Sequence, residues 1–335
     1  MKERVLITGA TGFVGSHILE QMMNHPEIEV IAACRDHSKL LPAFKGEVRE
    51  GDLRDQGYVE TLLENIDTVC HAAAWTALWG HRQESETLYL QPSLNLIDQA
   101  IKKKIRRFIN VSTTSANPGL SANPLSPGLQ SAFWPHLANV VKIENTMKEH
   151  AHEGCQMVNL RLGLFAGERY GLGLLPILLP RLKTHLVPWV KSGNTAMPII
   201  DGRDIGRAFA LACLADIKPD FDAFNIVGPI IPSTREVIEF IHQHFPYPQP
   251  HFSVPFYIAY RFAWLMEKLD AIVSWEPLVT RSIIHLLEDT HADNHKAFRQ
   301  LGYQAEIHWQ DAIKKQIDCL HEKNLPPMKM AKEIL

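Results

Sequence analysis

Three glycines near the start of the chain have the spacing of a phosphate-binding turn. Gly9, Gly12 and Gly15 follow a short apolar run and precede a stretch with helical spacing. The first would permit a tight turn, the second would let the backbone approach a pyrophosphate, and the third would let the helix lie close to a sheet. The spacing therefore predicts a dinucleotide site at a helix N-terminus. The residues assigned to this site are Gly9, Thr11, Gly12, Phe13, Val14 and Gly15.

An ordinary glycine-rich loop is the other interpretation of this pattern. The flanking residues disfavour it, because residues 5–8 read as a β-strand and residues 16–23 as an amphipathic helix. A strand, a tight turn and a helix start in that order are what a nucleotide-binding unit requires.

Strand-like and helix-like segments alternate along the first half of the chain. Apolar, β-rich segments recur at 29–33, 48–50, 68–71, 107–111 and 157–160. Such alternation is typical of a parallel sheet with helices on both faces. The sequence therefore predicts an α/β protein with a Rossmann doubly wound parallel sheet of six strands.

Glycine and proline become frequent after residue 162, and the alternation fades. We expect a smaller, mainly helical C-terminal substrate lobe to begin there, while segments 199–214 and 224–227 rejoin the first unit. The predicted division is 1–162 plus about 197–230 for the dinucleotide-binding domain, and about 163–196 plus 231–330 for the substrate lobe.

Two helix starts are predicted in that second half. Ser233 and Glu236 form the pattern of a capping box before an apolar-periodic run. Asp293 has the position of an N-cap for a helix that ends near Gly302.

The composition limits the partners. The chain has 335 residues, 46% of them hydrophobic and 21% charged, and a formal net charge of −3. It has no long basic run, which argues against nucleic acid as a partner. Its five cysteines are odd in number and widely spread, so neither a disulfide framework nor a metal site is predicted. With no signal peptide before the first strand, a cytoplasmic location is expected.

Residues 254–269 are the most membrane-like segment. They are aromatic and apolar, but Pro255, Arg261, Glu267 and Lys268 interrupt them, so no transmembrane segment is predicted. An amphipathic helix that covers a substrate pocket is the favoured interpretation, and a membrane-surface anchor is the other.

The order and spacing of the motifs resemble the extended short-chain dehydrogenases/reductases, the epimerase/dehydratase group, over almost the whole chain. Within that group the chain most resembles the 3β-hydroxysteroid dehydrogenase and 2-alkyl-3-oxoalkanoate reductase branch. The matching stretches are residues 8–15, 51–55, 71–74, 111–114, 142, 160–163, 201–208, 224–228 and 301–303.

Further cofactor contacts follow from the strand ends. Arg35 comes just after the second strand, where a basic residue would pair with a 2′-phosphate and an acidic one with a free ribose. We predict NADP(H) as the preferred cofactor, while the neighbouring Asp36 leaves NAD(H) open. The other positions that the resemblance places beside the cofactor are Asp52, Leu53, Ala72, Ala73 and Ala74.

The catalytic residues implied by the resemblance are incomplete. The family uses a Ser or Thr and the pair Tyr-x-x-x-Lys, in which the lysine lowers the phenol pKa so that the tyrosine can exchange a proton. Thr114 matches the first position and Lys142 the last, where it would also bond the nicotinamide ribose. The tyrosine position falls on Ala138, which cannot move a proton, and His136 is a candidate substitute acid.

A second departure concerns the helix after the fourth strand. The family usually has an asparagine there, supporting a local kink and a water-linked proton relay, whereas this chain has Tyr89. Tyr170, in the glycine-rich loop after the sixth strand, is expected to form a lid or wall. The aromatic residues expected either to border a wide, apolar nicotinamide pocket or to pack as a lid core are Trp75, Trp79, Phe133 and Trp134.

Two functions remain open at this point. One is an NAD(P)(H)-dependent oxidoreductase that acts on a bulky, apolar ketone or alcohol with a departed active site. The alternative is a catalytically inactive nucleotide-binding sensor or regulatory protein. The resemblance also implies a homodimer through the helix that carries Lys142. The apolar residues of that helix, which would equally pack on the sheet, are Val140, Val141, Ile143 and Met147.

Overall fold

Seven parallel strands form the central sheet. The structure, a computed structural model, describes residues 2–117, 133–270, 277, 279–286 and 292–322. The strands of the sheet are β1 (Glu3–Thr8), β2 (Ile28–Cys34), β3 (Glu47–Glu50), β4 (Thr68–His71), β5 (Arg107–Thr113), β6 (Gln156–Leu162) and, after three short strands given below, β10 (Phe221–Ile226).

The strand order is β10-β6-β5-β4-β1-β2-β3, and every neighbouring pair is parallel. The order reverses beside β1, which is the arrangement of a doubly wound sheet. The predicted fold class is therefore confirmed, with β10 as the seventh strand beside β6.

Helices cover both faces of this sheet, and others pack outside it. Those described are α1 (Phe13–Met22), α2 (Gln56–Leu62), α3 (Arg82–Ser85), α4 (Gln91–Lys102), α5 (Pro135–His150), α6 (Leu174–Leu182), α7 (Gly202–Leu214), α8 (Thr234–His244), α9 (Phe256–Asp270), α10 (Arg281–His285), α11 (His295–Leu301) and α12 (Trp309–Glu322). Helices α1 and α7 share one core with the sheet, and α2, α4 and α5 share the other. Within the described residues, no helix has the length and apolar character to cross a bilayer.

Two small parallel sheets lie outside the central one. Strand β7 (Leu164–Ala166) pairs with β9 (Ile199–Asp201), and β8 (Trp189–Val190) pairs with β11 (Ser253–Val254). Residues 199–201 therefore pair with β7 and not with a strand of the central sheet. Gly163 permits the detour, because a Cβ on it would lie 1.9 Å from the Pro198 carbonyl oxygen.

The end of the described chain returns to the central sheet. Ala297, Leu301 and Tyr303 are buried in the same core as α1 and α7. The division into two domains stays a prediction; it places these residues in the substrate lobe, although they pack in a core of the central sheet. The capping box at Ser233 is present, whereas the N-cap of α11 is Asn294 and not Asp293.

Charged side chains protect both edges of the central sheet. At β3, Glu47 accepts hydrogen bonds from Arg4 Nη2 at 2.8 Å and from Arg49 Nε at 2.7 Å. At β10, Lys296 of α11 pairs with Asp222 and donates to the Ala223 carbonyl oxygen at 3.1 Å. Neither edge is left as a plain row of backbone groups.

Two of the widely spread cysteines meet in the core. The thiols of Cys70 on β4 and Cys213 on α7 lie 3.5 Å apart, and both residues are buried. Burial, followed by the neighbouring Cys213, raises the pKa of Cys70 well above its ordinary value. The Cys70 thiol is therefore kept protonated, which fits an inert core residue.

Candidate active site

The glycine turn has the tight geometry that its spacing predicts. Gly9 has a φ of +65°, and a Cβ there would lie 2.7 Å from the backbone of Ala73. A Cβ on Gly15 would lie 2.1 Å from the Gly9 carbonyl oxygen. That oxygen accepts a hydrogen bond from the Gly12 amide at 2.9 Å, which closes the turn. Side chains are thus excluded from the space beside the first turn of α1.

The N-terminus of α1 is open to an anion. Gly12 is its N-cap, no side chain caps the first turn, and the first turn carries no acidic residue. Helix N-termini leave backbone N–H groups without intrahelical partners and carry partial positive charge. These residues fit the pyrophosphate of a dinucleotide, which would lie between α1 and the backbone of 72–74.

A buried hydrogen-bond chain joins the ends of β1 and β4. The Ala73 amide donates to Thr8 Oγ1 at 3.3 Å, and Thr8 Oγ1 lies 2.8 Å from His71 Nδ1. His71 Nε2 lies 3.0 Å from Ser93 Oγ, whose proton goes to the Tyr89 carbonyl oxygen at 2.6 Å. Nε2 must therefore carry the imidazole proton and Nδ1 must accept from Thr8. Burial lowers the pKa of His71 to about 4, so the ring is neutral at pH 7.

The end of β2 carries a basic residue and an acidic residue whose carboxylate already accepts hydrogen bonds. Arg35 is exposed and has no hydrogen bond or salt bridge among the described residues. Asp36 instead accepts from the Ser38 hydroxyl at 2.6 Å and the Ser38 amide at 3.0 Å, bonds that hold its pKa below the usual value. Asp52, beside them, is engaged by Arg54, with Nη2 to Oδ2 at 2.6 Å.

A cavity of about 330 Å³ opens where the carboxyl ends of β4 and β5 meet α5. It is the place where ligands bind in open α/β sheets. Ala72, Ala73, Ala74 and Val14 line it, which joins the cavity to the glycine turn. Among the described lining residues none is Asp, Glu, Lys or Arg, and the titratable side chains are three histidines and two tyrosines: His71, His81, His136, Tyr89 and Tyr170.

Helix α5 turns a different face to the cavity than the sequence predicts. His136, Leu137 and Val140 line the cavity, whereas Lys142 is exposed and Ala138 is not among the lining residues. A shift of two residues rotates a position by about 200° around a helix, which is almost to the opposite side. The expected pair Ala138 and Lys142 therefore lies off the site, and the cavity-facing pair with four-residue spacing is His136 and Val140.

A buried carboxylate sets this orientation of α5. Glu144, one turn beyond Val140, accepts a hydrogen bond from Ser112 of β5. It also pairs with Arg161 of β6, with Nη2 to Oε2 at 2.6 Å and Nε to Oε1 at 3.0 Å. Breaking such a buried pair is costly, so α5 cannot rotate freely. Positions four and eight residues before Glu144 must consequently face the cavity.

The hydroxyl at the end of β5 is also one residue from its expected place. Thr113 lines the cavity, whereas Thr114 is buried at 4% exposure and is not among the lining residues. The neighbouring Ser112 donates its proton to Glu144. Thr113 Oγ1 accepts from the Ser115 amide at 3.3 Å, which leaves its own proton available to a ligand.

His136 and Asn110 are the two described lining residues with a buried polar atom that has no hydrogen-bond partner. The Nδ1 atom of His136 is buried and has no hydrogen-bond partner among the described residues. Burial lowers the pKa of His136 to about 4. The ring packs against Tyr89, with 5.0 Å between the ring centroids. A buried nitrogen without a partner needs an explanation, and a bound ligand atom is one that fits a residue lining a cavity.

Tyr89 does not remove the local kink. Residues Glu86–Leu90 form a π-helical turn directly before α4. Within this region the Tyr89 carbonyl oxygen accepts a hydrogen bond from the Ser93 hydroxyl. The Tyr89 ring lines the cavity, and burial raises its pKa above the ordinary value for tyrosine. The sequence identified Tyr89 as a departure but missed that it forms part of the wall.

The predicted aromatic residues divide into two groups. Trp79, Trp134 and Tyr170 line the cavity, and the Trp134 indole donates to the Ala77 carbonyl at 3.0 Å. Trp75 and Phe133 pack in the core beside it instead. Tyr170 lies against Phe13 with 4.4 Å between ring centroids, so it forms a wall shared with the start of α1.

A histidine and two carboxylates gather near α1 without an obvious role for a metal. Ligand atoms of His17, Glu20 and Glu168 lie within 4.8 Å of one another. The Arg169 guanidinium sits among them, with Nη2 2.7 Å from His17 Nδ1 and an ion pair to Glu20. The cluster is therefore already supplied with a cation.

Comparisons with known proteins agree with this geometry. "Short-chain dehydrogenase/reductase family 42E member 1" of Xenopus laevis is 24% identical over 338 residues, which covers 91% of this chain and 85% of that protein. The solved structure "MoeE5 in complex with UDP-glucuronic acid and NAD" has a TM-score of 0.70 at 20% identity, covering 96% of this chain and 99% of that one. This likeness shows the fold.

One similarity is local. The Arabidopsis thaliana protein "Trifunctional UDP-glucose 4,6-dehydratase/UDP-4-keto-6-deoxy-D-glucose 3,5-epimerase/UDP-4-keto-L-rhamnose-reductase RHM2" is 32% identical over 126 residues. That match covers 33% of this chain, and the chain spans only 19% of that protein's length.

The family itself is decided by a longer match. The sequence model of the "NAD dependent epimerase/dehydratase family" matches residues 5–226, from β1 to β10. This stretch contains the glycine turn, the strand ends and the cavity-facing side of α5. The resemblance to extended short-chain dehydrogenases/reductases is thereby confirmed. The chain belongs to the NAD dependent epimerase/dehydratase family, which supports a nucleotide-binding protein of the oxidoreductase type.

Proposed function

We propose that the protein is an NADP(H)-dependent oxidoreductase that interconverts a bulky, apolar ketone and its alcohol, with His136 in the place of the family's tyrosine. The observation that carries this proposal is the buried, unpartnered Nδ1 of His136 in a cavity continuous with the glycine turn. A substrate oxygen beside the nicotinamide would supply the missing hydrogen bond.

The lining of the cavity favours an apolar substrate. Side chains such as Leu78, Trp79, Trp134 and Leu174 form its walls, and no Lys or Arg is among the described lining residues. The diphosphate of a nucleotide sugar would need basic partners, which disfavours that class of substrate here. A substrate with several fused or linked rings fits a cavity of about 330 Å³ only if this cavity continues into the cleft that holds the cofactor.

Each polar group has a distinct role in this proposal. Thr113 donates a hydrogen bond to the substrate oxygen, and His136 gives or takes the proton at that oxygen. The nicotinamide, when bound, supplies or accepts the hydride. Val140 stands where the family has its lysine, so no cation lowers the pKa of the proton-exchanging group. The apolar walls exclude water from the reacting atoms.

The preference for NADP(H) rests on Arg35. Its guanidinium has no hydrogen bond or salt bridge among the described residues, while the carboxylate of Asp36 is occupied by Ser38. Replacing Arg35 by alanine is expected to weaken NADPH binding about 10- to 100-fold, the value of a charge-assisted hydrogen bond, and to leave NADH binding unchanged. Fluorescence titration with both nucleotides measures this. Lys45→Ala removes another exposed positive charge and should change neither affinity. Equal loss for both nucleotides would refute the assignment.

The activity is tested by mixing purified protein with NADPH and a panel of bulky ketones. Ketone-dependent oxidation of NADPH supports the oxidoreductase. Binding of NADPH without oxidation by any ketone, or of NADP⁺ without reduction by the matching alcohols, supports the second candidate, a nucleotide-binding sensor without turnover. The specific observation in favour of that candidate is Val140, because α5 offers no lysine to the cavity.

Location and assembly stay predictions. A cytoplasmic location is consistent with the inert buried cysteines. A homodimer through α5 would have to use its exposed side, since Val140, Ile143 and Met147 are buried against the sheet.

A further inference from the structure

Helix α9 carries the largest group of exposed apolar side chains in the described structure. Six of its residues are each 39–62% exposed: Tyr257, Ile258, Phe262, Trp264, Leu265 and Leu269. Contiguous apolar patches of this kind are rare on proteins that stay free in water, and they mark contact surfaces.

The outer face of α9 has a second property, its charge. At about 100° per residue, the six apolar residues and two basic ones, Arg261 and Lys268, share an arc of about 160°. Both basic residues are exposed, and no acidic residue falls on this arc. The one acidic residue among positions 257–269, Glu267, is buried on the opposite side and pairs with Arg281 of α10.

The inner face of α9 packs against residues that lie beside the cavity. Tyr260 lies 6.0 Å from Phe133 between ring centroids, and Arg281 stacks over Phe133 at 4.7 Å. Leu286, the C-cap of α10, lines the cavity. The outer face therefore belongs to a helix that is packed onto the rest of the molecule beside the cavity.

We propose that the outer face of α9, defined by the eight residues above, docks on the surface of an anionic lipid bilayer. Aromatic and aliphatic side chains would enter the boundary between headgroups and acyl chains, and Arg261 and Lys268 would meet the negative headgroups. A second copy of the chain fits less well, because a two-fold contact brings this face against itself and sets basic residues against basic residues with no acidic partner. The proposal extends the proposed function but does not depend on it.

Sedimentation with vesicles tests the proposal without any nucleotide. The protein is mixed with vesicles of phosphatidylcholine alone and with vesicles that also contain phosphatidylserine. We expect binding to the anionic vesicles that weakens with salt. The double substitution Phe262→Glu with Leu265→Glu should lower the partition coefficient at least tenfold. The matched control, Leu186→Glu with Ile230→Glu, alters residues that are 74% and 53% exposed elsewhere and should leave binding unchanged.

A second variant keeps the test valid if the glutamate variant folds poorly. Arg261→Gln with Lys268→Gln leaves the apolar residues in place and should weaken binding to anionic vesicles about fivefold per charge, with no change in thermal unfolding. Absence of binding by the unaltered protein, or equal binding by all variants, overturns the proposal. A dimer in sedimentation equilibrium that the Phe262→Glu, Leu265→Glu variant converts to a monomer also overturns it, since a second copy would then be the occupant.

Discussion

Replacement of His136 by alanine is expected to lower turnover roughly 10²- to 10⁴-fold, the usual contribution of a positioned acid or base. Nucleotide affinity should stay unchanged, because the proposed partner of His136 is the substrate oxygen and not the nucleotide. The measurement is steady-state oxidation of NADPH with the best ketone of the panel, together with a nucleotide titration. Lys142→Ala is the matched control on the same helix, since Lys142 is exposed. A large loss in the Lys142 variant with none in the His136 variant would restore the sequence-based assignment.

A variant that restores the family's Tyr-x-x-x-Lys pair tests the same assignment by a gain of activity. His136→Tyr with Val140→Lys places a tyrosine and a lysine four residues apart on the cavity-facing side of α5. We expect this variant to turn over faster than the His136→Ala variant. Ala138→Tyr beside the existing Lys142 places the same pair on the other side of the helix, and should give no gain.

The depressed pKa of His136 determines the sign of the pH dependence. With a pKa of about 4, the imidazole is neutral at pH 7, and the protonated fraction rises about tenfold for each unit by which the pH falls towards that value. Ketone reduction that uses the imidazolium as acid should therefore accelerate from pH 8 to pH 5. Alcohol oxidation, which uses the neutral ring as base, should be flat over that range. The opposite trends would show that another group moves the proton.

Replacement of Gly15 by alanine is expected to abolish practical nucleotide binding, with a loss of roughly 100-fold or more, corresponding to at least about 2.7 kcal/mol. The added Cβ would lie 2.1 Å from the Gly9 carbonyl oxygen, so the turn itself must move. Overpacking of this kind also lowers the free energy of unfolding, by about 1–3 kcal/mol. Titration with NADPH and thermal unfolding measure the two effects.

A glycine elsewhere provides the comparison. In Gly57→Ala, on α2, the Cβ would meet only Asp55 Oδ1 at 3.4 Å, an ordinary contact. Alanine in a helix is also favoured over glycine by roughly 0.5–1 kcal/mol. This variant should bind NADPH normally and unfold at an equal or higher temperature. If both alanine variants bind NADPH equally well, the glycine turn is not the phosphate site.

The fold was predictable because its signals are local and repeated. The strand before Gly9, the glycine spacing and the alternation up to β6 each depend on residues close in sequence. The two small sheets could not be predicted in this way. The pairing of β7 with β9 joins segments about 35 residues apart, and the periodicity of a strand does not tell whether it pairs with such a distant strand or with the central sheet.

The sequence placed the cavity-facing pair of α5 two residues too far along the chain, for a related reason. The orientation of α5 is decided by Glu144 through contacts with Ser112 and Arg161, which are distant in sequence. A spacing rule applied to Lys142 contains no information about those contacts. The buried positions Val140, Ile143 and Met147 were the available signal, because they place the inner face of the helix on the side of Val140 and away from Lys142.

The guarded edges of the central sheet limit how this protein can assemble. Exposed edges are where sheets of separate molecules join, and charged side chains oppose such joining. Here Glu47 and its arginine partners flank one edge, and Lys296 occupies a carbonyl of the other. Growth of the sheet from one molecule into the next is thereby discouraged at both ends. The open-ended fibres that continuous sheets produce are therefore an unfavourable outcome for the central sheet of the folded chain.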